Sequence, residues 1–121
     1  MPIERRHVGK RLSECVVLTP GGERLVYLAG QVAEDGKADM ATQTKQVLAA
    51  IDRLLAEVGS DRTRLLSATI FLPDMADFPT LNAAWEAWVV PGHTPARATV
   101  AAALAHPDYK VEIQVVATAP A

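Results

Sequence analysis

The segment from Asp39 to Gly59 constrains the fold of this chain more than any other, because its apolar residues recur at steps of three and four. That spacing places them on one side of an α-helix. Asp39 is of a type that caps helix N-termini, and Gly59 is of a type that ends helices. The predicted apolar face consists of Met40, Val47, Leu48, Ile51, Leu54, Leu55 and Val58.

A buried strand and a second helix are predicted next. "RLLSATIFLPD" is apolar or small on both faces from Leu65 to Leu72, and Pro73 stops it. Asp77 is then a plausible N-cap, with Pro79 in the first turn of the helix. The apolar stripe of this second helix would consist of Phe78, Leu81, Trp85, Trp88 and Val89.

Pairs of strands are expected at both ends of the chain. "ECVVL" and "RLVYLAG" flank "TPGGE", whose Gly21–Gly22 pair suits a tight hairpin turn. Two last strands, near Arg97–Leu104 and Tyr109–Val116, are separated by "AHPD". The order β-β-α-β-α-β-β predicts a two-layer α+β domain, with one mixed sheet and both helices on one face. The other sheet face is apolar too, so a neighbouring subunit is its natural cover.

Composition limits the classes of function. The chain has 121 residues, which predicts one domain over 1–121, and its net charge of −2 with a pI near 5.9 disfavours nucleic acid as the primary ligand. The charged start "MPIERRHVGKR" does not resemble a secretory signal, and no run approaches the ~20 apolar residues of a membrane span. A single cysteine, Cys15, fits a cytoplasmic protein.

Arg97 is the most unusual residue of the last strands, since its neighbours are small or apolar. Alternation places Arg97 and Thr99 on one face. If the last two strands form a hairpin about His106–Pro107, Arg97 and Glu112 lie on the same face, whereas a slip of one residue separates them. The pair is then either a salt bridge on a half-exposed strand or a ligand site, in which arginine grips a carboxylate and Glu112 holds a water or passes a proton.

Other kinds of site find little support. Asn82 lies on the Phe78 side of the second helix, where a bond to a loop carbonyl is the commoner role of a buried asparagine. The three histidines are far apart, so no metal site is predicted, and Cys15 is expected to be a buried, inert thiol. The sequence contains no GxSxG, P-loop or GxGxxG motif.

Several segments together resemble the Rid (reactive intermediate deaminase, YjgF) family over nearly the whole chain. They are "VYLAGQV", "TQTKQVLAAIDRLLAEVGSD", "ATIFLPDMADFPTLNAAWEAWV", "PARATV" and "KVEIQVVA". "RLSECVV", "WEAWVVPGH" and "HPDYKVEI" are most similar to the YoaB-like branch. The resemblance implies a chorismate-mutase-like fold and a homotrimer with ligand pockets between subunits.

The resemblance also implies roles for individual residues. Arg97 matches the arginine that binds the substrate carboxylate, and Glu112 matches the acid that orients the attacking water. Gly30 matches a pocket-lining position and Asn82 a helix position near the cleft, while Thr99 stands where the RidA branch has a cysteine. The pocket tyrosine of that branch is replaced here by Ser13 or a neighbour.

The resemblance implies an enamine or imine deaminase that converts small 2-imino acids into 2-keto acids and ammonia. An imine is already electrophilic, so no metal or organic cofactor is needed. One alternative is a non-catalytic protein that binds small carboxylates such as 2-ketobutyrate, which the missing tyrosine favours. A weaker alternative is the endoribonuclease activity attributed to some relatives, which the acidic pI disfavours.

Overall fold

The computed structural model describes residues 3–121, which form one mixed sheet and two α-helices. The helices are α1, Met40–Glu57, and α2, Phe78–Trp88. The strands are β1 Ile3–Val8, β2 Ser13–Gly21, β3 Glu23–Leu28, β4 Leu65–Leu72, β5 Ala96–Ala101 and β6 Glu112–Ala119.

The six strands lie in the order β1-β2-β3-β6-β4-β5. Strands β1, β2 and β3 form consecutive antiparallel pairs, β6 is antiparallel to both β3 and β4, and β5 is parallel to β4. The mixed sheet of the prediction is confirmed, but the hairpin between the last two strands was wrong. Strand β4 lies between β5 and β6, because β5 returns from α2 to the outer edge of β4 rather than pairing with its successor.

Both helices pack on one face of the sheet. The apolar face predicted for α1 is confirmed, since all seven of its residues are buried. In each inner strand, alternate residues complete the core, as in β4, where Ala68, Ile70 and Leu72 point towards the helices. The same alternation sends Val16, Leu18, Leu25, Tyr27, Phe71, Val100 and Val116 to the opposite side, which we call the open face.

A polar network joins the two helices. Asp52 of α1 accepts two hydrogen bonds from the Arg62 guanidinium, each 2.8 Å long, and a third of 3.1 Å from the Trp88 indole of α2. The hydrogen bond with Asp52 raises the pKa of Arg62. Because each donor meets an acceptor, this network fixes the α1–α2 angle and therefore the position of α2 above the sheet.

Two details of the prediction change. The strand β1 was not anticipated, because "IERRHV" is largely charged and only its pairing with β2 makes it a strand. Asp77 does precede α2, but its side chain makes no capping hydrogen bond. Within residues 3–121, no helix combines the length and the hydropathy needed to cross a membrane.

Candidate functional site

Arg97 lies in β5 opposite Ala68 of β4, on the face of the sheet that carries the helices. The guanidinium carbon lies 5.7 Å from the centroid of the Phe78 ring and 5.6 Å from that of Trp85, both on α2. Aromatic faces attract a guanidinium without neutralising its charge. Among residues 3–121 no carboxylate lies within ion-pair distance of Arg97. The simple salt bridge considered for Arg97 is therefore absent from the described chain.

The residues around Arg97 form a small cluster on one side of α2. Positions 78, 82 and 85 follow each other at steps of four and three, so Asn82 shares the stripe of Phe78 and Trp85 and is half-buried there. Thr99 follows Arg97 on the same face of β5, opposite Ile70. Its hydroxyl is buried and has no hydrogen-bond partner among residues 3–121. We call Arg97, Thr99, Phe78, Asn82 and Trp85 the arginine cluster.

Glu112 begins β6 opposite Phe71 of β4 and therefore points to the open face. Its carboxylate lies directly on Gly30, where an added Cβ would come within 3.0 Å of the carboxyl carbon. A Cβ at position 30 would therefore displace the Glu112 carboxylate, and glycine permits this close approach. Glu112 is half-buried and has no hydrogen-bond or ion-pair partner among the residues described.

Gln31 follows Gly30 in the chain, pairs with the core residue Ile113 and lies beside α1, where it binds Glu14. The backbone of Gln31 exchanges two hydrogen bonds with Ile113, of 2.9 and 3.1 Å. Its side-chain amide donates to the Glu14 carboxylate at 2.9 Å and to the Ala29 carbonyl at 3.1 Å. We call Glu112, Gly30, Gln31 and Glu14 the glutamate cluster.

The two clusters do not meet within one chain, because the hairpin that would have placed Arg97 and Glu112 on the same face does not form. Their partners on β4, Ala68 and Phe71, are three residues apart and point to opposite faces. Strand β4 lies between β5 and β6, so the axes of β5 and β6 are about 10 Å apart. A small ligand bound to a single copy of the chain therefore contacts one cluster and not the other.

Sequence reasoning missed parts of both clusters. Trp85 was predicted in the apolar stripe of the second helix and is buried there, but its position beside Arg97 was not predicted. The signal was present, because Phe78 and Trp85 are seven residues apart, or two helical turns, on the helix just before the arginine strand. The roles of Gln31 and Glu14 carried no such signal, since they come from residues brought together by sheet pairing.

Two further features, a buried cysteine and a groove between the helices, lie outside both clusters. Cys15 is buried in β2 as expected, and burial raises the pKa of its thiol, which disfavours the reactive thiolate. A groove of ≈ 330 Å³ runs between α1 and α2, and Asp52, Arg62 and Trp88 line part of it. These polar groups bind one another in the network that joins the helices, and the groove lines neither cluster.

Comparison with known proteins shows which family this chain belongs to. A family model described as "Endoribonuclease L-PSP" matches residues 10–119. The Escherichia coli "RutC family protein YoaB" is 45% identical over 117 residues, covering 97% of this chain and 98% of the relative. A crystal structure of NMB1025, a member of the YjgF protein family from Neisseria meningitidis, superposes with a TM-score of 0.91 at 45% identity and covers 100% of this chain and 98% of that one.

A more distant relative carries an enzyme name. The rat "2-iminobutanoate/2-iminopropanoate deaminase" is 29% identical over 101 residues, covering 78% of this chain and 73% of the relative.

The mixed sheet under two helices is shared with the Neisseria meningitidis structure. The chain belongs to the endoribonuclease L-PSP family, whose members carry the names YjgF and RutC. The predicted family, its YoaB-like branch and the α+β fold are thereby confirmed.

Proposed function

We propose that this protein is an imine deaminase that hydrolyses small 2-imino acids to 2-keto acids and ammonia. The observation that most supports this proposal is the environment of Arg97. Its half-buried guanidinium lies beside two aromatic rings and has no carboxylate partner among the described residues. A planar guanidinium in this state is suited to bind a ligand carboxylate through two parallel hydrogen bonds. The deaminase name of the rat relative supports this substrate class.

We further propose that the site is completed between subunits of a homotrimer. The separation of Arg97 and Glu112 on opposite sheet faces supports this, because a second copy can bring its Glu112 to the arginine cluster of the first. The open face supports it as well, since its apolar side chains, which lie beside polar ones such as Thr69 and Gln114, are not covered by any element of residues 3–121. Tyr27 and Val100 on this face are 43% and 41% exposed. Exposed apolar faces of this kind mark subunit contacts.

The proposed reaction needs positioning and one proton acceptor. Arg97 binds the carboxylate, with Thr99 and Asn82 lining the same side, and the imine carbon then faces the partner's glutamate cluster. The Glu112 carboxylate of that subunit accepts a proton from a water beside Gly30 as the water oxygen adds to the carbon. The imine nitrogen takes this proton as the amino alcohol forms. The hydroxyl proton then passes to the nitrogen, the C–N bond breaks to release ammonia, and the C=O bond of the 2-keto acid forms. An imine is electrophilic enough for this without a metal or organic cofactor.

A second candidate is a protein that binds small 2-keto acids without turning them over. The specific observation is that Leu12, Ser13 and Glu14 provide no phenol, whereas the RidA branch has a tyrosine there. The arginine cluster would still bind a carboxylate. RNA cleavage, which the family description names, is less suited to a chain with a net charge of −2.

The first experiment measures ammonia release from freshly generated 2-iminopropanoate, together with binding of 2-ketobutyrate by calorimetry. We expect Arg97→Ala to abolish both the acceleration and the binding, whereas Glu112→Ala slows turnover by about 10²-fold and leaves binding largely intact. Arg53→Ala, an exposed arginine on α1, is the matched control. Binding without any acceleration by wild type would favour the second candidate, and full activity in both site variants would refute the assignment.

Mixed oligomers test whether two subunits share the site. Arg97→Ala and Glu112→Ala proteins are unfolded together, refolded as a mixture and assayed. If each site takes Arg97 from one subunit and Glu112 from another, about a quarter of the sites in an equal mixture regain both residues. If both residues come from the same copy, the mixture stays as inactive as its components.

A further inference from the structure

Gln43 is a fully buried polar residue on the largely apolar buried side of α1. Its side-chain amide donates to the carbonyls of Gly36, Ala38 and Asp108 at 3.2, 3.1 and 3.0 Å. Its carbonyl oxygen accepts the backbone N–H of Lys110 at 2.9 Å. A buried amide with this number of partners is fully satisfied, so it binds its neighbours in one arrangement.

These bonds join two loops that are far apart in the sequence. One loop leads into α1, and the other leads into β6. The loops also touch directly, because a Cβ added at Gly36 would lie 3.0 Å from the Cβ of Asp108. Gln43 therefore fixes the backbone at Asp108 and Lys110 relative to α1.

Glu112 follows Lys110 by two residues, and its backbone is held on both sides. Gln43 binds Lys110 on one side, and on the other Ile113 exchanges two backbone hydrogen bonds with Gln31. Val111, between Lys110 and Glu112, is completely buried. The described residues provide no hydrogen bond to the Glu112 carboxylate itself, so its position depends on this backbone and on its contact with Gly30.

We propose that Gln43 is a positioning residue that acts through the 108–110 loop and sets where the Glu112 carboxylate lies in the site. This proposal rests on the deaminase function proposed above. A carboxylate that must hold a water against an imine carbon is sensitive to small displacements, and a shift of about 1 Å costs up to about 10²-fold in rate. Carboxylate binding by Arg97 lies in a different cluster and does not depend on this loop.

The test compares Gln43→Met with Ser60→Ala. Methionine has nearly the same length as glutamine but cannot replace its hydrogen bonds. The control removes the 2.6 Å hydrogen bond from Ser60 to the Thr118 carbonyl, at the far end of the same strand β6. We expect Gln43→Met to lower kcat at least tenfold, to leave 2-ketobutyrate binding unchanged, and to speed hydrogen exchange at the Lys110 amide. Ser60→Ala is expected to keep the wild-type kcat.

A double variant shows whether Gln43 acts through Glu112. In the Glu112→Ala background, Gln43→Met should cause no further loss of kcat, because the group that it positions is already absent. An additional loss of tenfold there, an equal loss in Ser60→Ala, or a wild-type kcat in Gln43→Met would each overturn the proposal while leaving the deaminase function intact. If wild type itself does not accelerate deamination, or Glu112→Ala is fully active, the proposed function fails and this proposal fails with it.

Discussion

At the scale of single residues, the candidate site depends on charges that have no charged partner among residues 3–121. Arg97 is held by the Phe78 and Trp85 rings rather than by an acid, and Glu112 is held against Gly30 rather than by a base. Lysine would not replace Arg97, because an ammonium lacks the planar fork that both stacks on rings and binds a carboxylate at two points. Both groups are thus kept in place with their ionic interactions available.

Gly30 provides the sharpest test of this arrangement. Gly30→Ala should displace the Glu112 carboxylate, since the new Cβ would overlap it, and should lower the deamination rate about tenfold or more while leaving 2-ketobutyrate binding intact. Gly21→Ala is the matched control, because a Cβ at Gly21 meets nothing within 4 Å. Steady-state rates and calorimetry on both variants check this, and equal rates in the two would contradict the proposed contact.

At the scale of elements, α1 is fixed at its start by Asp39. The Asp39 carboxylate accepts the Thr42 backbone N–H at 2.8 Å, and hydrogen bonding by Thr42 lowers the pKa of this carboxyl below its ordinary value of 3.8. Because the folded-state pKa is below that of the unfolded chain, the unfolded state binds more protons as acid is added. The charged cap therefore stabilises the protein at pH values above the unfolded-state pKa of Asp39. This contribution is lost as the pH falls through the folded-state pKa.

Comparison with Asp39→Asn isolates this effect. Asparagine caps helices about as well as aspartate but does not titrate. We expect the Tm of wild type, relative to that of Asp39→Asn, to fall as the pH is lowered from about 6 to about 3. Thermal unfolding followed by circular dichroism measures both proteins. A difference in Tm that stays constant over this range would mean that the Asp39 charge does not contribute to the cap.

At the scale of the whole molecule, the open face determines whether a complete site exists. Light scattering at micromolar concentration should give the mass of a trimer, and a monomeric mass would remove the proposed cleft. Tyr27→Asp places a charge at the centre of this face. An unpaired charge buried in an interface should weaken assembly by about 10²-fold or more and abolish deamination with it.

Ala56→Asp adds the same charge to an exposed position of α1 and should leave the trimer intact. A Tyr27→Asp protein that remains trimeric and active would show that the open face is not the contact between subunits.

The elements themselves could be predicted from local pattern. The three-and-four spacing of apolar residues placed α1 from Met40, and the run ended by Pro73 placed β4 at Leu65–Leu72 as observed. The glycine pair at Gly21–Gly22 predicted the turn between β2 and β3. In each case the information lies within a few neighbouring residues, which is why the sequence alone was sufficient.

The pairing of strands was decided only by the tertiary structure. Nothing local in "YKVEIQVV" indicates that β6 inserts between β3 and β4, since its neighbours come from segments more than 40 residues away in the chain. Pairing also determines which face each side chain occupies, so the separation of Arg97 from Glu112 could not be read from alternation within their own strands. The sequence by itself determined both helices, the strands other than β1, and Arg97 and Glu112 as candidate groups. Long-range packing of the sheet decided that these groups lie in two separate clusters.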